Sequence, residues 1–327
     1  MSTAKGESYA PALKPSRATF RPGKISESLF MDATRRLLKN RIAVVGGVIV
    51  LIFVFLAVFA PFVAPAHFAD GNLEDNYAHP SAKYPLGADF MGRDLLSRLI
   101  YGTRVSLTVG FIGALTAFVI GVAYGTVSGF VGGRVDVIMM RIVDILYAFP
   151  TLLFIILLMV VFKTSLTPLS RSSFVLALVA ADHAFGGMLF IMVGIGLTSW
   201  VDMARMSRGM ALSLRETEYI QAARALGARD FRIMFKHLLP NLLGPCIVIV
   251  TLRIPRFIAT EAFLSFIGLG VDPPTPSWGM MISEGYKTMR SFPHLALYPG
   301  LALALIMLSF NFLGDGLRDA LDPRLKQ

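Results

Sequence analysis

The stretch EYIQAARALGARDFRIMFKHLLPN, Glu218–Asn241, decides how the rest of the chain is read. It carries Arg224, Arg229, Arg232 and Lys236 at helical rhythm, yet the segments on either side are apolar enough for the interior of a bilayer. Tyr219, Ala222, Ala223 and Leu226 share a helical face, Gly227 suits a helix stop, and Asp230 suits the cap of a second helix ending before Pro240. Upstream, Ser213 and Glu216 fit a capping box. The region 213–240 therefore reads as two short amphipathic helices with a turn between them. Such a pair cannot bury its apolar side alone. It must lie on lipid headgroups, on its own bundle or in a groove of another protein.

Working outward, apolar runs recur at about 44–63, 105–128, 137–162, 186–201, 242–267 and 295–313, each near the roughly 20 residues that cross a bilayer core. The fourth is the shortest. Of 327 residues, 55% are hydrophobic and 16% charged, against roughly 45–50% and 25% in soluble domains. With a mean hydropathy of +0.64, the chain reads as an all-α integral membrane protein with six spans.

The net charge of +10 is unevenly placed. Lys and Arg crowd the segment before the first span and the segment between the fourth and fifth, while the loops after spans one, three and five are poorer. By the positive-inside rule this predicts cytoplasmic N and C termini and a cytoplasmic 213–240, in place of a nucleic-acid surface. The first apolar run begins only after about residue 43 and is span-length, so it is expected to remain as an anchor. The single cysteine, Cys246, falls in the fifth span and forms no intrachain disulfide.

Residues 1–25 lack periodic apolar positions and read as a flexible tail; 26–43 fit an amphipathic helix at the membrane surface; 44–327 form the transmembrane domain. Gly121, Gly125, Gly129 and Gly133, four apart, predict a close helix–helix contact. Segment 163–185 reads as an extracytoplasmic loop with a short interfacial helix, or alternatively as the start of one long span, Phe174 to Trp200, burying Asp182 and His183. Arg141 and Asp144, one turn apart, are expected to pair, and Trp200 to anchor at the interface. Pro273, Pro274 and Pro276 mark an extracytoplasmic turn.

The opening stretch resembles the EAA motif of binding-protein-dependent ABC importer permeases: E-A-A, three residues, G, nine residues, I-x-L-P. Gln221, Ala222, Ala223, Gly227, Leu239 and Pro240 occupy that pattern, with Gln221 in place of Glu and His237 in place of Ile; Glu218 offers an acidic group one turn earlier. The segments YPLGADFMGRDLLSRLIYGTRVSL (84–107), GGRVDVIMMRIVDILYAFPTLL (132–153), EAFLSFIGLGVDPPTPSWG (261–279) and GDGLRDALDP (314–323) are similar to the peptide-importer branch. The resemblance implies a type I importer bundle in the cell inner membrane, paired with a second homologous permease subunit and with two ABC ATPase subunits. It also implies an extracytoplasmic binding protein that delivers peptide. Glu218, Tyr219, Gln221, Ala222, Ala223, Arg224, Leu226, Gly227, Leu239 and Pro240 are then expected to form the ATPase-coupling surface. Importers of this branch carry oligopeptides, dipeptides, glutathione or nickel, and the segments GDGLRDALDPRL and SWVDMARMSRG favour oligopeptides.

No chemistry of its own is expected in the chain. G-x-x-x-x-G-K-[ST] is missing, Gly23-Lys24 being followed by Ile25, and so are H-E-x-x-H and G-x-S-x-G. ATP and Mg are thus expected on partner subunits, with no cofactor or metal here. Arg253 and Arg256 lie within the fifth span, where a charge must face a cavity, a partner or water, and Glu261 is a weaker candidate for the same surface. They either line the translocation path or form a bridge that orients the span. An ion-driven secondary transporter and an intramembrane enzyme are the rival classes; few intramembrane acids and no nucleophile or metal pattern speak against them.

Overall fold

The computed structural model describes residues 29–161 and 173–321, so the expected tail lies outside the described residues. Among the described residues every regular element is a helix. In chain order these are α1 (Leu29–Lys39), α2 (Arg41–Val58), α3 (Ala60–Val63), α4 (Leu95–Val131), α5 (Gly133–Ala148), α6 (Thr151–Val160), α7 (Ser173–Ala184), α8 (Leu189–Arg215), α9 (Glu218–Ala225), α10 (Asp230–Ile233), α11 (Leu239–Phe266), α12 (Trp278–Tyr286) and α13 (His294–Leu321). Five helices, α10 and α11 counting as one, are long and apolar enough to cross a membrane, and a sixth crossing is made if α5 and α6, bent by 73° at Phe149–Pro150, count as one span.

The helices alternate in direction, and side-chain contacts fix which ends meet. Trp278 packs edge-on against Phe53 at 5.6 Å and donates its indole N–H to the Leu99 carbonyl at 3.1 Å. The C-terminal half of α2, the start of α4 and α12 therefore share one end of the bundle. At the other end, Gly316 of α13 lies against Ala43 and Leu37, and Gly129 of α4 against Arg208 and Ala211 of α8. The α1 helix thus seats Leu37 on the end of α13, a use of its apolar side that does not require lipid.

Glycines set the central contact. A Cβ at Gly125 would stand 2.2 Å from the Ala204 carbonyl oxygen, and one at Gly121 2.7 Å from that of Trp200, so α4 and α8 touch backbone to backbone. Three of the four spaced glycines serve this contact. Gly133 does not: it opens α5 beyond the end of α4, with φ +57° and open space around it.

Several sequence expectations are corrected by packing. The fourth span, expected at 186–201, runs on to Arg215, because its charged residues are neutralised across helices: Asp202 by Arg253, Arg205 by Asp144 and Arg208 by Asp136. Asp144 therefore pairs with Arg205 at 2.7 Å rather than with its neighbour Arg141. Ser213 stays inside α8 and caps nothing; the α9 cap position is Thr217, and that of α10 is Arg229, one residue before Asp230. Nor does the second helix stop before Pro240. Proline removes a backbone donor and crowds the preceding turn, and the chain absorbs this with a π-helical turn, Met234–Leu238, that runs straight into α11.

The short helix after the third span is present as α7, and the bends at Phe185–Met188 separate it from α8, so Phe174 to Trp200 is not one helix. Trp200 is half-buried and packs its ring on Tyr124 at 4.9 Å. The proline-rich turn docks on the loop before α8 through the Asp272 amide, which donates to the Gly186 carbonyl at 3.2 Å.

Candidate functional site: an outlying helix and a polar cleft

The α9 helix is held by one buried side chain. Ile220 is fully enclosed, in a cluster with Phe130, Ala211, Leu238 and Leu242. Around it the helix faces outward: Glu218, Tyr219, Gln221, Ala222, Arg224 and Leu226 are exposed, Leu226 to 88%, and Ala223 is half-buried. The helix ends in a Schellman turn, the Gly227 amide donating to the Arg224 carbonyl at 2.9 Å and the Ala228 amide to that of Ala223 at 3.0 Å. Gly227 takes φ +79° with nothing within 4 Å, so glycine is needed for backbone conformation and not for space.

The helix connects to the bundle through cations. Arg215 donates to the Phe130 carbonyl at 3.3 Å, closing the end of α4, and Arg224 lies over the Phe130 ring at 5.5 Å. Nearby, Asp136 accepts from Arg208 Nε at 2.5 Å and from Ser128 at 2.5 Å, joining α4, α5 and α8. Phe231 is 71% exposed and stacks on Phe235, so the outward surface combines apolar groups with Arg224, Arg229, Arg232 and Lys236. Leu239, half-buried, opens α11 and lines an apolar cleft with Phe118 and Phe235, and Pro240, the second residue of α11, is exposed.

Within the spans, α6, α8 and α11 enclose a polar cleft lined by Thr151, Thr198, Ser199, Asp202, Arg253 and Arg256. Arg253 donates to Asp202 at 2.6 Å. Arg256 is exposed, and no partner for its guanidinium exists among the described residues. Glu261 is elsewhere: fully buried, it accepts from Ser106 at 2.9 Å and Ser265 at 2.7 Å, tying α11 to α4. Five residues turn a helix well past a right angle, which separates Glu261 from the arginines.

One charged network escaped the sequence reading. Asp89 accepts from Arg93 Nε at 2.7 Å and also from Arg98, and Arg98 reaches Glu284 of α12 at 2.8 Å. It fixes the 64–94 segment onto the end of the bundle opposite α9. Asp89 and Arg93 lie within the LGADFMGRD segment, which carries no span and no periodic signal, while Arg98 lies in the first turn of α4 and Glu284, distant in sequence, on α12.

An all-α bundle of span-length apolar helices with an outlying amphipathic helix is the architecture of a multi-pass membrane protein. The chain belongs to the family of binding-protein-dependent transport system inner membrane components, whose profile matches residues 96–327. The N-terminal TM domain of oligopeptide transport permease C matches residues 28–80. The chain is 39% identical to the oligopeptide transport system permease protein OppC of Bacillus subtilis over 98% of its own length and 97% of that protein. It is 43% identical to the dipeptide transport system permease protein DppC of the same organism, over 92% and 88%. With the glutathione transport system permease protein GsiD of Pectobacterium atrosepticum it shares 38% identity over 89% and 90%. As a component of such a system it is a multi-pass transport subunit that acts with other subunits.

Proposed function

We propose that this chain is the membrane subunit of an ATP-driven peptide importer, most closely of the oligopeptide type, and that α9 is the helix through which separate ATPase subunits drive it. The observation that carries the reading is α9 itself: Ile220 is its one fully buried side chain, the helix is closed at Gly227, and Leu226 is presented to solvent. Exposed apolar groups rimmed by cations suit a protein groove with acidic edges.

The arrangement of charge supports a cytoplasmic position for this end. Arg35, Arg36 and Lys39 of α1 with Arg41 at the start of α2, and Arg224, Arg229, Arg232 and Lys236 near α9, stand at the same end of the bundle, while Asp70, Glu74, Asp75, Asp89 and Glu284 gather at the other. The termini then face the cytoplasm and the 64–94 segment faces the binding protein. A second permease completes the path, to which Arg253 and Arg256 contribute. The match of residues 28–80 and the near-complete coverage of OppC favour oligopeptides; the higher identity to DppC keeps dipeptides as the competing cargo.

In reconstituted vesicles with its ATPases and binding protein, labelled tetrapeptide is expected to accumulate only with ATP. Accumulation driven by an ion gradient without ATP contradicts the proposal, and uptake of dipeptide alone contradicts the oligopeptide assignment.

A further inference from the structure

Resting on the path reading, we propose that Arg256 is the carboxylate-binding residue of the path and receives the C-terminal carboxylate of a peptide in transit. Two arginines enter the cleft, and the structure gives them different roles. Arg253 is neutralised by Asp202 at 2.6 Å, so that pair adds no net charge. Arg256, one turn further along α11, keeps an exposed guanidinium with no partner among the described residues.

Its depth makes this unusual. Arg256 lies about 15 Å along the helix axis from Phe266 at 1.5 Å per residue, well inside a span-length helix. An unpaired cation there is costly against lipid and belongs beside a cavity or water. A cavity is present. The 73° bend between α5 and α6 at Phe149–Pro150 opens a cleft of about 440 Å³ beside Arg256, walled by Tyr147, Phe149 and Phe154, with hydroxyls from Thr151 and Thr198. Broken spans at mid-membrane depth are a common construction for substrate sites.

The chemistry selects the ligand class. A guanidinium binds a carboxylate bidentately, and the Thr151 hydroxyl beside it is placed to donate to the same group, whereas the Thr198 hydroxyl already donates to the Gly194 carbonyl at 3.0 Å. The aromatic walls offer apolar contact with no fixed polar pattern, so side chains of many kinds fit. Every unmodified peptide carries a C-terminal carboxylate, so one free arginine recognises peptides without reading their sequence. Asp202 also lines this cleft, with its carboxylate engaged by Arg253 at 2.6 Å.

The test compares a tetrapeptide with its C-terminal amide in the assembled importer, with the binding protein saturated by each. Arg256→Gln is expected to lower the rate for the free acid about tenfold and to abolish the preference for the free acid over the amide, with Arg256→Lys restoring only part of that preference. An equal fall for both peptides, or none for either, overturns the proposal. A second measurement leaves Arg256 intact. Thr198→Cys in a Cys246→Ala background is labelled with a membrane-impermeant thiol reagent, and the free acid is expected to protect at about tenfold lower concentration than the amide. Equal protection overturns the carboxylate assignment while the path reading stands; no labelling in any nucleotide state overturns both.

Discussion

Asp202 of α8 accepts a charge-assisted hydrogen bond from Arg253 of α11 at 2.6 Å, joining two spans at the side of the polar cleft. Both side chains are mostly enclosed, at 30% and 23% exposure, so the pair is only partly screened. Asp202→Asn leaves a positive charge without its counter-ion inside a span. A loss of about 1–3 kcal/mol is expected, read as a lower unfolding temperature in detergent, and Asp202→Asn with Arg253→Gln is expected to recover part of it. A double variant less stable than the single contradicts the pairing.

Gly125 tests the α4–α8 contact. A Cβ there meets the Ser207 hydroxyl oxygen at 2.0 Å and the Ala204 carbonyl at 2.2 Å, and backbone cannot yield as a side chain does. Gly125→Ala is expected to cost about 3 kcal/mol or more. Gly244→Ala in α11, where nothing lies within 4 Å, is expected to be tolerated. Equal melting temperatures for the two variants contradict the close packing.

Ile220 and Leu226 sit on one short helix with opposite burial, 0% against 88% exposed. Ile220→Ala is expected to destabilise by about 2–5 kcal/mol. Leu226→Ala is expected to stay within about 0.5 kcal/mol. Detergent melts of both variants check the assignment, and a large loss at Leu226 contradicts it.

The 64–94 segment carries an acid-sensitive tie. Hydrogen bonds from Lys83 at 2.6 Å and Tyr84 at 2.9 Å hold the Asp75 carboxyl below the usual carboxylate range. A depressed carboxylate contributes order above its unfolded value and loses it as pH falls through the folded value. Amide protection of residues near Asp75 is therefore expected to be flat from about pH 5 to 9 and to fall below about pH 4. Asp75→Asn is expected to abolish the fall; an unchanged profile contradicts the tie.

The spans were legible because twenty apolar residues in a row have few other solutions in water or lipid. Gly121, Gly125 and Gly129 were legible for the same kind of reason: a four-residue spacing puts them on one helix face whatever follows. The extent of α8 was not, since Asp202, Arg205 and Arg208 read as polar until their partners on α11 and α5 are placed beside them. The same blindness to long-range pairing hid the Asp89–Arg98–Glu284 network and sent Asp144 to the wrong arginine. Tyr219, Ala222 and Leu226 show as one helical face, but the face buried against the bundle is that of Ile220, supported by Ala223. Pro240 reads as a stop in the sequence because the π turn that accommodates it, Met234–Leu238, has no sequence signature.

The measurement closest to the central claim is purification of the chain in mild detergent with its ATPase subunits, wild type against Leu226→Arg. The side chain is 88% exposed, so the charge is expected to leave the bundle folded, as judged by its melting temperature. Wild type is expected to carry two ATPase subunits and to lose them, or their peptide-stimulated hydrolysis, in the variant. A folded variant that retains full stimulated hydrolysis contradicts a coupling role for α9.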